Sequence, residues 1–366
     1  MDYTIRKTTN IDNLNWTDPS LKKALVLMSG GVDSTAAAIL LLKENYSLVG
    51  ITMEIMDQNN GSATVSAASV CKELSIPHFS VDICEEFKNK IIVPFCSLYT
   101  MGLTPNPCAE CNERIKFGLL WDIAEEILGS DFSVATGHYA RIINKDSRHY
   151  LASSANKSKD QSYFLSGISR EKISRILFPL GDFSSKAETR TVVRTYGLPV
   201  SERSESMEIC FANENGYRSM IGSGFASGPI KDTSGRVLGE HNGISGYTLG
   251  QRKGLGIASK SPLYVESILP ESNTIVAASR EEAFRSEVVA DRINILAPEL
   301  LAPGSHFFCK IRSQGDPSEC KLVSCSNVEI KVHFDVPIFA PAPGQRLVLY
   351  TAEGYVAAGG VIKESC

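Results

Sequence analysis

The chain has 366 residues, of which 43% are hydrophobic and 21% charged, close to the averages for soluble globular proteins. At about 150 residues per domain, this length predicts two or three domains. Lys and Arg number 37 and Asp and Glu 41, so the net charge of −4 excludes an overall basic coat but not a local basic face. No run approaches the roughly 18 apolar residues of a membrane span, and residues 1–22 lack the apolar core of a secretory signal. We therefore expect a cytoplasmic protein with no membrane partner and mostly reduced cysteines.

Strand and helix patterns alternate from Lys23 onward. The apolar run 24–28 predicts a buried parallel strand, a glycine-rich turn follows it, and residues 35–43 predict a helix. Further strands are predicted at 48–53, 78–83 and 132–136, and further helices at 64–74, 85–99 and 112–128. This alternation indicates an α/β fold with a doubly wound parallel sheet.

The pattern changes after about residue 205, where glycine becomes frequent and helical periodicity fades. From residue 286, short β-branched runs separated by Pro-Gly turns are typical of a small β-barrel. We therefore predict a small mixed or β-rich central domain between the α/β domain and the barrel. The predicted parts are an N-terminal extension at 1–22, the α/β domain at 23–208, the central domain at 209–285 and the barrel at 286–366.

A glycine-containing loop joins the first predicted strand to the first helix. It consists of Leu27, Met28, Ser29, Gly30, Gly31, Val32, Asp33 and Ser34. The adjacent Gly30 and Gly31 allow backbone N–H groups to converge on an anion, and the positive N-terminus of the helix points at the same place. Asp33 would hold Mg²⁺ against phosphate oxygens. The spacing matches neither the Walker A loop nor Gly-x-Gly-x-x-Gly, so it predicts another class of phosphate site.

Three cysteines stand in contexts that differ from those of the other cysteines. Cys108 and Cys111 form a Cys-x-x-Cys pair in a proline-stiffened loop, and Cys210 stands alone. Asn112 can cap the following helix, which would place Cys111 beside a helix N-terminus and favour its thiolate. Three thiolates fall one ligand short of a closed zinc site. They suit a nucleophile pair that carries a persulfide and closes to a disulfide, an iron–sulfur cluster with one open iron, or inert buried thiols.

Beyond these two motifs, the sequence resembles one family over residues 23 to 363. The phosphate loop is similar to the PP-loop of ATP pyrophosphatases. The other motifs resemble those of the tRNA-specific 2-thiouridylases of the MnmA/TrmU type, in a three-cysteine variant. The matching stretches are 27–34, 104–117, 135–139, 159–165, 178–181, 209–211, 246–256, 340–345 and 359–362. The resemblance implies a PP-loop domain of the adenine nucleotide alpha hydrolase type, a central tRNA-binding domain and a C-terminal β-barrel.

The resemblance also implies an activity, the ATP-dependent 2-thiolation of the wobble uridine in tRNAs for Lys, Glu and Gln. The C2 oxygen would be adenylated, and sulfur would then come through a Cys111/Cys210 persulfide or through a [4Fe–4S] cluster on Cys108, Cys111 and Cys210. ATP and Mg²⁺ are the expected cofactors, with the cluster as a further one. The expected partners are the tRNA anticodon loop and an upstream sulfur donor, either a cysteine desulfurase or a relay protein.

Individual roles follow from the same resemblance. The nucleophile position is Cys111, and the persulfide position is Cys210. The residues expected to bind ATP are the loop from Leu27 to Ser34, Met53 and Gly137. The residues expected to contact tRNA are Asn106, Pro107 and Cys108 at the target base, together with His138, Lys159, Asp160, Gln161, Arg312, Ser313 and Gln345.

Two residues depart from the family pattern. Cys108 stands where many members carry Asp, so this chain has three cysteines where those members have two. Ser313 replaces a usual aromatic residue, which removes base stacking at that position.

Two other classes of protein remain as alternatives, an amide synthetase of the PP-loop type and a non-enzymatic RNA-binding protein. The first does not explain Cys210, and the second does not explain Asp33.

Overall fold

The computed structural model describes residues 3–9, 16, 18, 20–56, 61–202, 209–212, 220 and 226–366. The chain divides into two compact units. The first consists of Met1–Lys90 and Glu110–Met207, and the second of Ile91–Ala109 and Glu208–Cys366. The predicted domain boundary at 208 borders residues 203–208, which lie outside the described residues, so it stays a prediction.

A mainly parallel sheet forms the first unit. The strands of this unit are β1 (Thr4–Lys7), β2 (Lys22–Leu27), β3 (Tyr46–Glu54), β4 (His78–Asp82), β5 (Ser133–Ala135), β6 (Ala140–Lys145), β7 (Arg148–Ser153) and β8 (Ile176–Leu177). The sheet order is β1-β4-β3-β2-β5-β8, and every neighbouring pair is parallel except β1 with β4. The predicted parallel sheet is confirmed, whereas β8 and the β6–β7 hairpin were not predicted.

Helices flank this sheet and also occur in the second unit. The described α-helices are α1 (Val32–Lys43), α2 (Gly61–Glu73), α3 (Cys84–Phe87), α4 (Val93–Thr100), α5 (Pro107–Cys111), α6 (Leu120–Leu128) and α7 (Lys186–Arg194). Two predicted helices contain π-helical segments, Lys88–Ile92 between α3 and α4, and Asn112–Leu119 between α5 and α6. The second segment begins directly after Cys111, and π-helical turns are frequent at functional sites.

Small residues place α1 close to the sheet. Ala36, Ala37, Ala38 and Ile39 have no exposed surface. Three of them, Ala36, Ala38 and Ile39, share a hydrophobic core with β2 residues such as Val26. Because alanine adds little volume, the helix axis can approach the strands, and the N-terminus of α1 is fixed at the carboxyl end of β2.

The N-terminal extension contributes a strand, which the sequence did not predict. Strand β1 adds antiparallel to β4 at the sheet edge, with Thr4 opposite Asp82 and Lys7 opposite Phe79. Its residues alternate too weakly in polarity to suggest a strand, because the strand pairs through its backbone at an edge and buries little surface.

A buried histidine links this extension to the phosphate loop. Thr52 Oγ1 donates to the carbonyl of Met28 at 2.7 Å, so it accepts from Nε2 of His78 at 2.8 Å. Nδ1 of the same ring must then accept a hydrogen bond, and the hydroxyl of Thr8 supplies it. The backbone N–H of His78 also donates to Oγ1 of Thr9 at 2.9 Å. The neutral imidazole is therefore required for the complete chain of hydrogen bonds.

The second unit contains a four-stranded sheet and a closed barrel. The sheet strands are β9 (Gly228–Lys231), β10 (Val237–His241), β11 (Tyr264–Leu269) and β12 (Thr274–Ala278), in the order β10-β9-β12-β11. The barrel strands are β13 (Phe284–Ile295), β14 (His306–Lys310), β15 (Ser318–Cys325), β16 (Glu329–Phe339), β17 (Arg346–Tyr350) and β18 (Val356–Ser365), closed in the order β13-β16-β15-β14-β17-β18. The predicted C-terminal barrel is confirmed.

Strands β15 and β18 of the barrel were not predicted. In β18, Gly360 faces β13 so closely that a Cβ atom there would lie 2.5 Å from Cδ1 of Ile293 and 3.0 Å from the carbonyl oxygen of Asp291. Close packing selects small residues at this position, and small residues carry little strand signal.

Among the residues described, no helix has the combination of length and apolar character needed to span a bilayer.

Acid should weaken the first unit through His78. Burial lowers the pKa of His78 from 6.5 to about 4, so the unfolded chain takes up a proton that the folded chain resists. This contribution to stability is complete above pH 6.5 and is lost as the pH falls toward 4. The pKa shift corresponds to about 3 kcal/mol of folding free energy. We expect the free energy of unfolding of His78→Gln, measured with urea, to be lower at pH 7 and to depend less on pH between 6.5 and 4.

The matched control is His149→Gln, because His149 is exposed. It should retain the wild-type pH dependence. If His78→Gln and the wild-type chain lose stability in parallel over this pH range, the assignment of the effect to His78 is wrong.

Candidate active site

The phosphate loop turns sharply between β2 and α1, and a glycine makes this turn. Gly30 has φ of 68°, in the left-handed region. A Cβ atom at this position would also lie 2.7 Å from the carbonyl oxygen of Ala63 and 2.9 Å from Cβ of Ser66. The hydroxyl of Ser66 donates to the carbonyl of Gly30 at 3.0 Å. The loop conformation therefore excludes any side chain at this residue for two separate reasons.

Hydroxyl groups hold the rest of the loop. Ser34 Oγ accepts from the backbone N–H of Ser29 at 3.2 Å and donates to the carbonyl of Gly31 at 3.2 Å, and Thr35 Oγ1 donates to the same carbonyl at 2.9 Å. Gly31 is the residue before α1, and it has no side chain with which to cap the helix. The first amide groups of α1 thus face the loop, where a phosphate is the type of ligand that they bind best.

A second strand end closes the site. Gly137 follows β5, and a Cβ atom there would lie 2.5 Å from the carbonyl carbon of Asp33 and 2.7 Å from the backbone nitrogen of Ser34. On the other side, Met28 follows β2 and Met53 lies near the end of β3. The predicted ATP residues therefore lie at the carboxyl ends of three adjacent parallel strands, where α/β sheets bind their ligands.

The carboxylate of Asp33 is held by groups from other parts of the first unit. Lys186 Nζ lies 2.6 Å from both carboxylate oxygens, and the hydroxyl of Tyr139 donates to Oδ1 at 3.1 Å. That hydroxyl is also 2.7 Å from Oγ1 of Thr189. A single carboxylate beside a phosphate loop fits Mg²⁺, which binds through one or two carboxylates together with substrate phosphates.

From the sequence alone, no role was predicted for Lys186, Tyr139 or Thr189. One signal was present, because Lys186 begins α7, where the helix dipole favours acidic rather than basic residues. A lysine at that position indicates an anionic partner elsewhere.

His138 lies in an aromatic environment in the first unit. Its ring centre is 6.4 Å from that of Phe117 and 6.1 Å from that of Phe178, and Nδ1 is 2.8 Å from Oγ1 of Thr136. Burial, followed by the charge of Lys116, holds the pKa of His138 well below its usual value of 6.5. The ring is therefore neutral at physiological pH and serves as a hydrogen-bonding rather than a charged group.

The helix that bears Cys108 and Cys111 begins earlier than the sequence suggested. Asn106 Oδ1 accepts from the backbone N–H of Ala109 at 3.1 Å, which is the geometry of an N-cap, and α5 begins at Pro107. The expectation that Asn112 caps the helix is wrong. Asn112 lies inside a continuous helical segment and donates to the carbonyl of Phe164 at 3.1 Å.

The first helical turn of α5 contains Cys108 and not Cys111. Cys108 is in that turn and exposed, whereas Cys111 is one turn later and only 7% exposed. Cys210 is exposed, and its neighbour Phe211 is buried with its ring centre 5.4 Å from that of Phe95. The position beside a helix N-terminus, expected for Cys111, therefore belongs to Cys108.

The loop before Cys108 is anchored on the barrel of the second unit. The backbone N–H of Thr104 donates to the carbonyl of Pro343 at 2.8 Å, and Gln345 Nε2 donates to the carbonyl of Thr104 at 3.0 Å. A Cβ atom on Gly344 would lie 2.9 Å from the backbone nitrogen of Thr104. Gln345, expected to contact tRNA, thus has a partner in the protein that positions the loop of Asn106.

The other residues expected to contact tRNA are also held by the protein. Asp160 accepts from the backbone N–H of Ser154 at 2.9 Å, and Gln161 Oε1 accepts from the backbone N–H of Tyr139 at 2.9 Å. In the second unit, Arg312 donates to the carbonyls of Leu249 and Ala340. The neighbours of these residues, Lys159 and Ser313, are partly buried.

Among the residues that the structure describes, no three His, Cys, Asp or Glu side chains are grouped as ligands of a metal ion.

The chain has a phosphate loop at the first strand–helix junction of a parallel sheet, and a β-rich region and a barrel follow. This arrangement defines the class of PP-loop nucleotide-binding proteins. Family models match residues 22–214 (tRNA methyl transferase HUP domain), 221–279 (tRNA methyl transferase PRC-barrel domain) and 285–362 (Aminomethyltransferase beta-barrel domain). The tRNA-specific 2-thiouridylase MnmA of Nostoc punctiforme is 37% identical over 94% of this chain and 99% of that protein. The protein of the same name from Pelobacter propionicus is 39% identical over 93% and 97%.

The chain belongs to the tRNA-specific 2-thiouridylase family. Among solved structures, the U34-tRNA thiolase NcsA from Methanococcus maripaludis, described with its [4Fe-4S] cluster, is 19% identical over 55% of this chain and 64% of that chain, with a TM-score of 0.35. A similarity of that size carries no argument about chemistry.

The contact of Gly137 with the phosphate loop predicts a strong effect of one methyl group. In Gly137→Ala, the new Cβ would collide with backbone atoms of Asp33, so the loop must move and its amide groups lose their alignment. We expect ATP affinity, measured by isothermal titration calorimetry, to fall by about tenfold or more, since one lost charge-assisted hydrogen bond costs roughly that much.

Gly246→Ala is the matched control, because a Cβ atom at Gly246 would have no neighbour within 4 Å. Unchanged ATP affinity in a folded Gly137→Ala protein would show that the loop does not bind the nucleotide.

Proposed function

We propose that this chain catalyses ATP-dependent 2-thiolation of the wobble uridine in tRNAs for Lys, Glu and Gln. The observation that supports this most strongly is the phosphate loop, with the left-handed Gly30 and with Asp33 held beside the N-terminus of α1. Replacement of a C2 oxygen by sulfur needs that oxygen to be activated, and ATP bound on such a loop supplies the activating group. Membership of the 2-thiouridylase family supports the same reaction and substrate.

The loop would bind and orient the triphosphate. The first amides of α1 and the hydroxyls of Ser29 and Ser34 would bind phosphate oxygens, and Asp33 would hold Mg²⁺, which neutralises phosphate charge. The C2 oxygen of uridine would attack the α-phosphorus, and pyrophosphate would leave. A base in a single-stranded anticodon loop costs little to unstack, so it can reach the site.

Sulfur would then replace the adenylated oxygen. A persulfide on Cys210 holds the sulfur, which is loaded by an upstream donor such as a cysteine desulfurase or a relay protein. Cys111 thiolate attacks the Cys210 sulfur of that persulfide, a Cys111–Cys210 disulfide forms and sulfide leaves. Sulfide adds to C2, AMP departs with the former C2 oxygen, and an external dithiol reduces the disulfide for the next cycle.

The contacts with tRNA are part of the same proposal. Asn106, Pro107 and Cys108 would face the target base, and Gln345 would act by holding the preceding Thr104 in place. Lys159, Arg312 and Ser313 would contact the tRNA more remotely, with affinity that falls as the salt concentration rises. Location in the cytoplasm, where tRNA and reduced thiols are available, accompanies this function.

A direct test uses purified protein with ATP, Mg²⁺, a sulfide source and a transcript of tRNA for Lys, Glu or Gln. We expect a 2-thiouridine product that is retarded in mercury-containing gels, with one pyrophosphate released per thiolated tRNA. Methyl transfer, which two of the family descriptions name, would instead consume a methyl donor and leave the phosphate loop without a role. Pyrophosphate release with ammonia as acceptor would indicate an amide synthetase.

Cysteine variants distinguish the two routes of sulfur. The persulfide route needs Cys111 and Cys210 but not Cys108, whereas a [4Fe–4S] cluster needs all three. We expect Cys210→Ser and Cys111→Ser to reduce thiolation to background, and Cys108→Asp to retain activity within about threefold in air, a loss of less than 1 kcal/mol.

Circular dichroism of each variant controls for misfolding. About four iron atoms per chain in protein purified without oxygen, lost in Cys108→Ala, would contradict the persulfide route.

A further inference from the structure

Both oxygens of the Asp33 carboxylate already have partners in the protein. Lys186 Nζ is 2.6 Å from each of its oxygens, and Tyr139 donates to Oδ1 at 3.1 Å. The side chain of Lys186 is 15% exposed and that of Asp33 is 36% exposed, so the pair is shielded from solvent on the lysine side. Both oxygens that a metal ion would use are therefore bound by one ammonium group.

The position of Lys186 is adapted to this contact. It begins α7, Ser185 caps the helix by accepting from the backbone N–H of Glu188, and Nζ lies 5.8 Å from the ring centre of Tyr139. A cation in the first turn of a helix is opposed by the dipole, so the favourable contacts lie on the Asp33 side. Helix α7 also packs on α1 through buried residues such as Val193. This packing holds Lys186 at a fixed position relative to the phosphate loop.

A divalent metal and this ammonium cannot share the carboxylate as it stands. Mg²⁺ binds carboxylate oxygens at about 2.0–2.1 Å, so it would lie close to the ammonium group of Lys186. Two cations at such a short distance repel each other strongly in a partly buried site. Metal binding at Asp33 thus requires Lys186 to move away. The ammonium then needs another anion within reach, and the triphosphate of ATP on the adjacent loop is such an anion.

We propose that Lys186 keeps divalent metal from Asp33 until ATP is bound, so that metal and nucleotide enter together. On arrival of ATP, Lys186 exchanges the carboxylate for a phosphate oxygen, and Asp33 becomes available to the metal. Tyr139 retains its hydrogen bond to Asp33 in both states and keeps the carboxylate oriented. This inference rests on the proposed function, because it takes ATP as the ligand of the loop.

The test is Mn²⁺ binding, followed by electron paramagnetic resonance, with and without the non-cleavable analogue α,β-methylene-ATP. In the wild-type chain, Mn²⁺ should bind tightly only with the analogue. In Lys186→Met, Mn²⁺ should bind without nucleotide, with an affinity about tenfold or more above that of the wild-type chain, since one opposing charge is removed. The analogue itself should bind about tenfold more weakly to this variant, because a phosphate loses its cation.

Two variants serve as controls. Lys172→Met removes a lysine that pairs with Asp122 at 3.2 Å elsewhere in the first unit, and it should behave like the wild-type chain. Asp33→Asn should abolish nucleotide-free Mn²⁺ binding when combined with Lys186→Met. If Lys186→Met does not fold, Lys186→Gln carries the same expectation.

The inference is overturned if wild-type protein binds Mn²⁺ equally well with and without the analogue, or if the folded Lys186 variant binds Mn²⁺ no better than wild type in the absence of nucleotide. Failure of the wild-type chain to bind the analogue at all overturns the proposed function together with this inference. The two failures are therefore distinguishable in one set of titrations.

Discussion

The phosphate loop depends on the close approach of three backbone segments. Gly30 takes a left-handed conformation against the first turn of α2, and Gly137 brings the end of β5 against the backbone of Asp33. Neither contact leaves space for a Cβ atom. Because β2 and β5 are adjacent parallel strands, the sheet itself brings these segments together, and the loop has its shape without a ligand. A preformed set of donors loses little entropy on binding, which suits the stabilisation of a developing negative charge.

In the second unit, a different constraint fixes the residues proposed to face the target base. Thr104 is held by Pro343 and Gln345, two residues of the turn before β17 in the barrel. Asn106 caps α5 and thereby sets the direction of the first helical turn, in which Cys108 lies. Substitutions in the barrel can therefore shift Asn106 and Cys108 without any contact with either residue.

The sequence predicted features that depend on neighbouring residues and missed those that depend on distant ones. The phosphate loop was predicted because a strand, two glycines and a helix follow one another directly. The pair of Lys186 with Asp33 joins residues 153 positions apart, and that of Gln345 with Thr104 joins residues 241 positions apart, so no local pattern reveals either. The capping residue was misassigned between two asparagines, although Pro107 was a usable signal, since proline favours the first position of a helix.

The pairing of β1 with β4 has a consequence for the handling of the protein. The family model begins at residue 22, so a chain trimmed to the family boundary would lack β1. The outer side of β4 would then expose unpaired backbone groups over His78–Asp82. The imidazole of His78 would lose the hydroxyl of Thr8, and the backbone N–H of His78 would lose the hydroxyl of Thr9. An open edge of this kind pairs readily with the same edge of another molecule, so the short N-terminal strand also protects the sheet from self-association.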